Sequence, residues 1–493
     1  MSSSSPQQEP APAVRAAADA AERAAAATGL LADLPLRERA DLLGSLADSV
    51  KKHAQELVSV GSHETGLTPV RLESEVRRTE VQLRMFADIV RSGAFLDVMV
   101  DLPDPKVIPA PRPDLRRMLV PIGPVAVFSA SNFPLAFSVL GGDTASALAA
   151  GCPVVVKAHE GHPRLSTLTA ELASAVLPAG TLSLVQGREA GPALVRDSHI
   201  RAVGFTGSTS GGRALFDMAC ARPDPIPFYG ELGSLNPVIV TAAALADRGE
   251  RVAHDFVASL TFSQGQLCTK PGVLFLPTGH GLEAQLAEEA DAVPAAPMLG
   301  QWIHEGYTSA LAALAGHPHV RVITGRSATA DTARHDAVIP TLLSVSAETV
   351  RSAPELLHEC FGPAGLIVEY ESREDLLATL PLVPASLTTT VHGREGADDE
   401  LARLVLSAVP AGRLLWNSWP TGVAVTQAMH HGGPWPATTS PLHTSVGGTA
   451  IARWLRPVVY QNMPDALLPA PLRRDNPLRV PRRINGVMEQ PAA

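Results

Sequence analysis

The sequence predicts an α/β protein with two parallel-sheet domains, and three observations support this prediction. Its 493 residues exceed the size at which one hydrophobic core stops growing, so at least two domains are expected. From residue 125 onward, short β-branched runs alternate with helix-length segments, which is typical of βαβ units in nucleotide-binding folds. A second α/β stretch extends from residue 238 to about residue 440.

The composition argues against several classes of protein. A net charge of −9 gives no general attraction to nucleic acid or anionic membranes. The longest apolar runs are broken by Pro or Gly before they reach the roughly 18 residues of a membrane helix. Four scattered cysteines predict no disulfide framework. We therefore expect a soluble, cytoplasmic protein that binds neither nucleic acid nor membranes.

The N-terminal region predicts a leader, three helices and an arm. Residues 1–12 are polar and Pro-containing, with no apolar core, so we expect a disordered leader and no signal peptide. Apolar residues at three- and four-residue spacing predict helices over residues 13–28, 36–52 and 72–92. The Pro-, Asp- and Arg-rich residues 101–117 cannot form a helix interior, so we expect an extended arm.

Strands and helices then alternate. The predicted strands cover residues 125–129, 154–157, 182–185 and 202–206, and the predicted helices cover residues 140–150, 165–177, 190–195 and 211–221. A Pro-rich turn at residues 222–227 follows. Near the C terminus, residues 453–460 predict an edge strand that pairs with another subunit, and a basic, Pro-rich tail follows.

These patterns predict four parts of the chain. They are a disordered leader (1–12), a cofactor-binding domain (13–100 and 122–231), an oligomerisation arm and tail (101–121 and 453–493) and a catalytic domain (232–452).

A single thiol is the candidate nucleophile. Cys268 lies in Ser-Gln-Gly-Gln-Leu-Cys-Thr-Lys-Pro-Gly, a turn that we expect to be flexible, after a helix-like apolar run. A cysteine reacts as its thiolate, which requires partial exposure and a nearby positive charge or base. The alternative is an inert, buried thiol.

Three polar residues are candidates for assisting this thiol. Asn132, in Ser-Asn-Phe-Pro, is a candidate oxyanion donor or else an ordinary turn residue. Glu231, in Glu-Leu-Gly, has apolar neighbours, which predict a raised pKa suited to a general base. Its alternative is a solvated carboxylate at a strand end. Glu359, in His-Glu-Cys-Phe-Gly-Pro, has the same two interpretations.

Other residues are candidates for binding a nucleotide. Gly207 and Ser208, in Phe-Thr-Gly-Ser-Thr, lie where a strand turns into a helix, which favours a phosphate site or else a simple tight connection. Lys157 ends a strand at the edge where parallel sheets bind ligands, so it is a candidate for contacting a ribose hydroxyl or a phosphate. The alternative interpretation of Lys157 is a solvated strand terminus. Glu160 is a candidate for accepting two ribose hydroxyl bonds, which would disfavour a 2′-phosphate.

Sixteen histidines raise the question of a metal site. Neither the His317 and His319 pair nor the His430 and His431 pair has a Cys or carboxylate at a ligand spacing. We therefore expect surface loop histidines and no metal.

In their order along the chain, these motifs resemble the aldehyde dehydrogenase superfamily. The matching order is Ser-Asn-Phe-Pro, Lys157, Phe-Thr-Gly-Ser-Thr, Glu-Leu-Gly, Gly-Gln-x-Cys and Glu-x-Phe-Gly-Pro. His-Gly-Gly-Pro at 431–434 and Arg-Pro-Val-Val-Tyr-Gln-Asn at 456–462 are similar to the branch with α-ketoglutaric semialdehyde and NADP-dependent fatty aldehyde dehydrogenases. The resemblance implies a Rossmann-type parallel-sheet cofactor domain, an α/β catalytic domain and a β oligomerisation arm.

The resemblance also implies a role for each residue of the chemistry. Cys268 would form a thiohemiacetal with the aldehyde, while Asn132 and the Cys268 N–H hold the oxyanion. Loss of hydride to the nicotinamide gives a thioester, and Glu231 would activate the water that hydrolyses it. Glu359 would hold the nicotinamide ribose, and Phe361 belongs to the same cofactor motif.

The adenosine half of the cofactor, NAD or NADP, is assigned to other residues by the resemblance. Lys157, Gly207 and Ser208 would position the adenine ribose and the pyrophosphate. Glu160 matches the ribose-binding Glu of many NAD-preferring members, whereas NADP-preferring members of this branch tend to have a neutral residue. Arg188 would bind a 2′-phosphate, so the sequence is compatible with both NAD and NADP.

The expected activity is oxidation of an oxo-acid semialdehyde, such as 2,5-dioxovalerate, to its carboxylate by a homodimer or homotetramer. The alternatives are a fatty or aromatic aldehyde dehydrogenase, release of the thioester to coenzyme A, and a catalytically inactive binding or structural relative. The presence of Glu231 disfavours release of the thioester to coenzyme A. The complete set of Asn132, Glu231 and Cys268 disfavours a catalytically inactive relative. No arginine can be assigned from the sequence as an anchor for a substrate carboxylate.

Overall fold

A computed structural model of the protein describes residues 11–324 and 337–489. Nearly all of the predicted leader and the last four residues of the predicted tail lie outside the described residues. Within these ranges the strands form four sheets, of five, seven, five and two strands. None of the helices in these ranges is long and apolar enough to cross a membrane.

The α-helices of the described residues are α1 (Pro12–Ala26), α2 (Thr28–Ala32), α3 (Leu36–Lys52), α4 (Ala54–Thr65), α5 (Pro69–Ser92), α6 (Gly142–Ala150), α7 (Pro163–Ser174), α8 (Ala190–Arg196), α9 (Thr209–Cys220), α10 (Ala242–Thr261), α11 (Glu283–Ala292), α12 (Gln301–Ala315), α13 (Ala347–Ser352), α14 (Arg373–Thr379) and α15 (Asp399–Ala408).

The strands of the same residues are β1 (Val98–Asp101), β2 (Leu115–Pro121), β3 (Val125–Phe128), β4 (Val154–Lys157), β5 (Leu182–Val185), β6 (Ala202–Thr206), β7 (Phe228–Glu231), β8 (Val238–Val240), β9 (Val273–Pro277), β10 (Ala296–Pro297), β11 (Arg321–Val322), β12 (Ala337–Val338), β13 (Thr341–Ser346), β14 (Ala364–Tyr370), β15 (Ser386–His392), β16 (Ala411–Trp416), β17 (Leu455–Gln461), β18 (Arg482–Ile484) and β19 (Val487–Glu489).

The N-terminal helices follow the apolar periodicity. Helix α3 occupies the predicted range, and α5 begins earlier than predicted because Thr68 caps it by accepting the Arg71 N–H at 3.3 Å. Helix α4 was not predicted. Its buried face consists of Leu57, Val58 and Gly61, which is too short a repeat to stand out in the sequence.

The first sheet has the strand order β5-β4-β3-β6-β7, and all neighbouring strands are parallel. Side chains alternate between its faces: Val154 and Val156 pack into one core cluster, and Val155 packs into another. Because all strands run the same way, Lys157 and Glu231 both end strands at the carboxyl edge. Ligands of open α/β sheets bind at this edge.

The second sheet has the order β11-β13-β14-β9-β8-β15-β16 and is parallel except for β11. It lies between two further core clusters. The segment that carries Cys268 connects α10 to β9, so the thiol lies near the amino end of β9.

The arm is a third sheet with the order β17-β2-β1-β18-β19. Strand β17 is an edge strand and pairs antiparallel with β2, in agreement with the edge strand predicted near residue 453. Strand β1 also belongs to this sheet, although all of its residues except Asp101 precede the arm boundary predicted at residue 101. The Pro-rich tail contributes β18 and β19, because the segment between Pro481 and Pro491 contains no proline and can form a hairpin.

Candidate active site

A backbone reversal after α10 presents Cys268. Ser263, Gln264 and Gly265 have φ angles of 54°, 57° and 63°, three consecutive left-handed residues. A Cβ at Gly265 would overlap the carbonyl of Gly362, so only glycine fits. Gln266 is buried and accepts the Leu299 N–H at 2.9 Å. The expected flexible turn is therefore a packed one.

Cys268, Glu231 and His431 form one cluster. The Cys268 Sγ lies 3.4 Å from the His431 Nε2, and the same nitrogen lies 2.8 Å from the Glu231 Oε1. The Ser445 hydroxyl donates to the other Glu231 oxygen at 2.6 Å. Cys268 is partly exposed, whereas Glu231 and His431 are buried. The structure therefore places the predicted nucleophile and the predicted base together.

The interpretation of His431 as a surface loop histidine is wrong. Its relative exposure is 2%, because the residues around it fold back against the end of β7. The donor atoms of Glu231, Cys268 and His431 lie within 4.8 Å of one another. Thiol, imidazole and carboxylate are ligand types that Zn²⁺ accepts, so the absence of a metal site stays a prediction.

The pKa shifts of the cluster differ from the expectation for Glu231. Burial alone would raise the pKa of Glu231, but attraction to His431 and hydrogen bonds from His431 and Ser445 lower it below its usual range. The expectation of a raised pKa is therefore wrong, since the sequence did not reveal these partners. Burial, the charge of Glu231 and a hydrogen bond to Glu231 raise the pKa of the Cys268 thiol well above its usual range. The resting thiol is protonated.

Backbone hydrogen bonds fix Glu231 and His431 relative to each other. Glu231 forms an antiparallel bridge with Thr438, and the Leu232 N–H donates to the Ala437 carbonyl at 2.8 Å. The His431 N–H donates to the Thr444 hydroxyl at 2.7 Å. Residues 431–445, which we call the clasp segment, therefore hold the imidazole beside the strand that carries the carboxylate.

Asn132 lies where an oxyanion donor is expected. Its Nδ2 donates to the Gln266 carbonyl at 2.9 Å, which directs the amide toward the turn of Cys268. Among the described residues, no acceptor takes the Cys268 N–H. Asn236, which the sequence analysis did not select, donates to the carbonyls of Cys268 and Lys270 at 2.8 and 2.9 Å and so fixes the backbone on the other side of the thiol.

The adenosine-binding candidates lie along the carboxyl edge of the first sheet. Lys157 ends β4 and forms an ion pair with Glu160, whose pKa is lowered because hydrogen bonding and attraction to Lys157 outweigh its burial. Ser208 caps α9 by accepting the Gly211 N–H at 3.2 Å, so its hydroxyl is already engaged. Arg188 lies in the exposed turn after β5, one strand beyond Lys157.

Gly207 passes over the ring of Phe205, where a Cβ would collide with the aromatic atoms. In the first turn of α9, Ser208 accepts the Gly211 N–H, whereas the N–H groups of Thr209 and Ser210 have no acceptor among the described residues, which suits a phosphate beside Gly207 and Ser208. With the Lys157 and Glu160 pair two strands away, the described residues fit a dinucleotide that spans the sheet edge.

Glu359 lies next to Gly233, two residues after the end of β7. Its carboxylate occupies the space that a Cβ on Gly233 would need. Burial raises the pKa of Glu359 to about 7, although Lys270 opposes the shift. The Lys270 ammonium is itself buried and donates to the carbonyls of Cys360 and Ala364 at 2.7 and 3.0 Å, which fixes the loop around the half-buried Phe361.

A cavity of about 760 Å³ has Cys268 in its lining and so gives access to the thiol. Its lining includes Arg71 and Arg78 of α5, the rings of Phe133 and Phe137, and Cys268 with His431 at its inner end. The sequence analysis selected neither arginine, because α5 is separated from Cys268 by the whole first sheet. The cavity combines an apolar wall with cations, as expected for a carbon chain that ends in an anion.

Comparisons with known proteins agree with this arrangement. The sequence matches the Aldehyde dehydrogenase family over residues 4–435. It is 47% identical over 468 residues to Alpha-ketoglutaric semialdehyde dehydrogenase 2 of Azospirillum brasilense, covering 92% of this chain and 88% of that protein. It is 41% identical over 464 residues to Alpha-ketoglutaric semialdehyde dehydrogenase of Acinetobacter baylyi, with the same coverage of 92% and 88%.

Solved structures share the fold. Aldehyde dehydrogenase C of Pseudomonas syringae, solved with NAD+ and octanal, has a TM-score of 0.75 and 22% identity, covering 90% of this chain and 89% of that chain. A bifunctional proline utilization A protein has a TM-score of 0.78 and 24% identity, covering 91% of this chain and 45% of that chain. The predicted fold is confirmed. The chain therefore belongs to the aldehyde dehydrogenase family, and NAD(P)-dependent oxidation of aldehydes is its class of activity.

Proposed function

We propose that this protein oxidises an oxo-acid semialdehyde of the 2,5-dioxovalerate type to the dicarboxylate. The observation that carries the proposal is the contact of the Cys268 thiol with His431 and Glu231 at the inner end of a cavity that also presents arginine side chains. Two relatives at 47% and 41% identity are named for the same substrate class.

The first step transfers the thiol proton. The Cys268 Sγ and a Glu231 carboxylate oxygen lie within 4.8 Å of each other, so the proton has a short route to the carboxylate, which is ionised because its pKa is lowered. The His431 Nε2 lies 2.8 Å from the Glu231 Oε1 and 3.4 Å from the Cys268 Sγ, so it contacts both groups of this step. His431 therefore acts with the two predicted residues.

The thiolate then attacks the aldehyde carbon, and the developing oxyanion lies between the Asn132 amide and the Cys268 N–H. NAD(P), when bound, accepts the hydride, and the residues that would hold it are Lys157, Glu160, Gly207, Ser208 and Glu359. Once Glu231 has released the thiol proton to solvent, its carboxylate accepts a proton from the water that attacks the thioester. Cys268 leaves as a thiolate and the acid is released.

A substrate panel tests the proposal. The purified enzyme is assayed with 2,5-dioxovalerate, decanal and phenylacetaldehyde, with each cofactor and with or without coenzyme A. We expect the highest kcat/KM for 2,5-dioxovalerate, a free acid as product and no dependence on coenzyme A. Cys268→Ala serves as the inactive control. Preference for decanal, or a coenzyme A thioester as product, contradicts the proposal.

A second candidate is oxidation of an aromatic aldehyde. The rings of Phe133 and Phe137 lie 5.3 Å apart in the cavity wall and would suit a phenyl group. Phenylacetaldehyde in the panel measures this alternative directly.

We also propose that the chain forms a homodimer or homotetramer in the cytoplasm. The edge strand β17 leaves Val459 54% exposed, and the opposite edge leaves Val487 and Met488 71% and 54% exposed. Unpaired strand edges with apolar side chains favour pairing with another copy. The reduced Cys268 thiol that the reaction requires fits a reducing compartment.

A further inference from the structure

Arg78 projects from α5 into the cavity that ends at Cys268, and its guanidinium lies 5.7 Å from the centre of the Phe137 ring. Arg71, two turns earlier, lies 4.4 Å from the centre of the Phe133 ring. Both are candidates for binding an anion in the cavity, but their surroundings differ.

The charge of Arg71 is already compensated. Its Nη1 lies 2.8 Å from the Glu75 Oε1, and this carboxylate is buried. The second Glu75 oxygen accepts the N–H groups of Leu135 and Ala136 at 3.0 and 3.1 Å. Arg71 and Glu75 therefore form a structural pair that supports the loop after Asn132.

Arg78 has no such partner. Among the residues that the structure describes, no carboxylate lies within ion-pair distance of Arg78; its Nη1 donates to the Val423 carbonyl, and its buried Nε has no hydrogen-bond partner. A guanidinium shielded from water gains most from a carboxylate that accepts two parallel hydrogen bonds. Arg413 also has a buried Nε without a partner, but it is a weaker candidate, because it is not in the lining of the cavity and both of its terminal nitrogens donate to the carbonyls of Gly422 and Pro420.

We propose that Arg78 binds the terminal carboxylate of the substrate, so that the aldehyde at the other end of the chain reaches Cys268. This inference rests on the proposed function, and it makes Arg78 the residue that selects aldehydes with an anionic end. The phenyl rings beneath the two arginines then contact the methylene groups between the aldehyde and the acid.

A second role for Arg78 must be separated from the first. Its positive charge also favours the Cys268 thiolate, although burial and Glu231 outweigh it in setting the pKa of that thiol. If this were its whole role, loss of Arg78 would slow every aldehyde equally. A carboxylate anchor instead makes the loss depend on the substrate.

The test compares 2,5-dioxovalerate with pentanal, a neutral aldehyde of the same chain length, in Arg78→Gln and Arg78→Lys. For Arg78→Gln we expect kcat/KM to fall about 10- to 100-fold for 2,5-dioxovalerate, mostly through KM, and less than about 3-fold for pentanal. Arg78→Lys should lose less, because it keeps the charge without the paired donors. Arg84→Gln removes a cation from the same helix outside the cavity and serves as the matched control.

A binding measurement without turnover completes the test. Glutarate should slow alkylation of Cys268 by iodoacetamide in the parent and in Arg84→Gln, but not in Arg78→Gln. An equal fall for both aldehydes, or undiminished protection by glutarate in Arg78→Gln, overturns the assignment of Arg78. If the parent enzyme itself shows no preference for 2,5-dioxovalerate over pentanal, the proposed function fails instead. Should Arg78→Gln not fold, an Arg78→Lys variant with parent KM for 2,5-dioxovalerate also overturns the assignment.

Discussion

At the scale of single residues, His431 explains how a protonated thiol and an ionised carboxylate coexist in one site. Its Nε2 contacts both groups, and the Ser445 hydroxyl donates to the second oxygen of Glu231. Cys268 and Glu231 were predictable from their motifs. The role of His431 was not predictable, because 163 residues separate it from Cys268 and the sequence around it does not indicate which side chains it contacts. The direction of the Glu231 pKa shift could not be predicted for the same reason.

Replacing Glu231 by Gln tests the coupling between base and thiol. After burial, the charge of Glu231 is the largest reason for the raised pKa of Cys268, so its removal lowers that pKa. We expect the midpoint of iodoacetamide alkylation to move toward lower pH, while kcat for aldehyde oxidation falls at least about 100-fold. Ser445→Ala retains the carboxylate and should shift the midpoint much less. An unchanged midpoint in Glu231→Gln would show that the two groups are independent.

We predict that Glu359 makes cofactor binding depend on pH. Burial raises the pKa of this carboxyl to about 7, so it is protonated below neutrality and ionised above. A carboxylate accepts ribose hydroxyl bonds better than a carboxylic acid, so we expect KM for the cofactor to fall as pH rises from 6 to 8. Glu359→Gln should have a higher KM that is nearly independent of pH. The same slope in parent and variant would assign the pH dependence to another group.

At the scale of elements, the strands and helices of the first sheet were predictable because each βαβ unit is a local pattern. Lys157 ends its strand as predicted. The position of α5 relative to the thiol was not predictable, because helix packing depends on contacts between distant segments. This is why Arg78 could not be assigned from the sequence. The place of strand β1 in the arm was not predicted for a similar reason, since its partner β18 is distant in sequence.

The turn before Cys268 gives a prediction about local strain. Gly265 has a φ of 63°, and a side chain there would overlap the Gly362 carbonyl in the loop that follows Glu359. We expect Gly265→Ala to lower stability by about 1–3 kcal/mol and to raise KM for the cofactor. Gly396, with a φ of 79° and nothing within 4 Å of an added Cβ, gives the control Gly396→Ala. Equal losses in thermal midpoint for both variants would show that the contact is unimportant.

At the scale of the whole molecule, the edge strand β17 predicts self-association. We expect Val459→Glu, which places a charge on a 54% exposed position of this strand, to shift the protein toward monomer in sedimentation at micromolar concentration. Val81→Glu changes a 49% exposed residue of α5 and should leave the assembly intact. A parent protein that sediments as a monomer, or a Val459→Glu variant that sediments like the parent, would rule out pairing through β17.

The hydrogen bonds between the end of β7 and the clasp segment limit where the chain tolerates changes in length. Residues 432–437 connect His431 to the point where Leu232 binds Ala437. One residue added or removed there would displace the His431 imidazole from the Glu231 carboxylate, even if every side chain of the site were retained. Loops elsewhere on the surface are therefore better places for a fusion tag or a new chain terminus than this short connection.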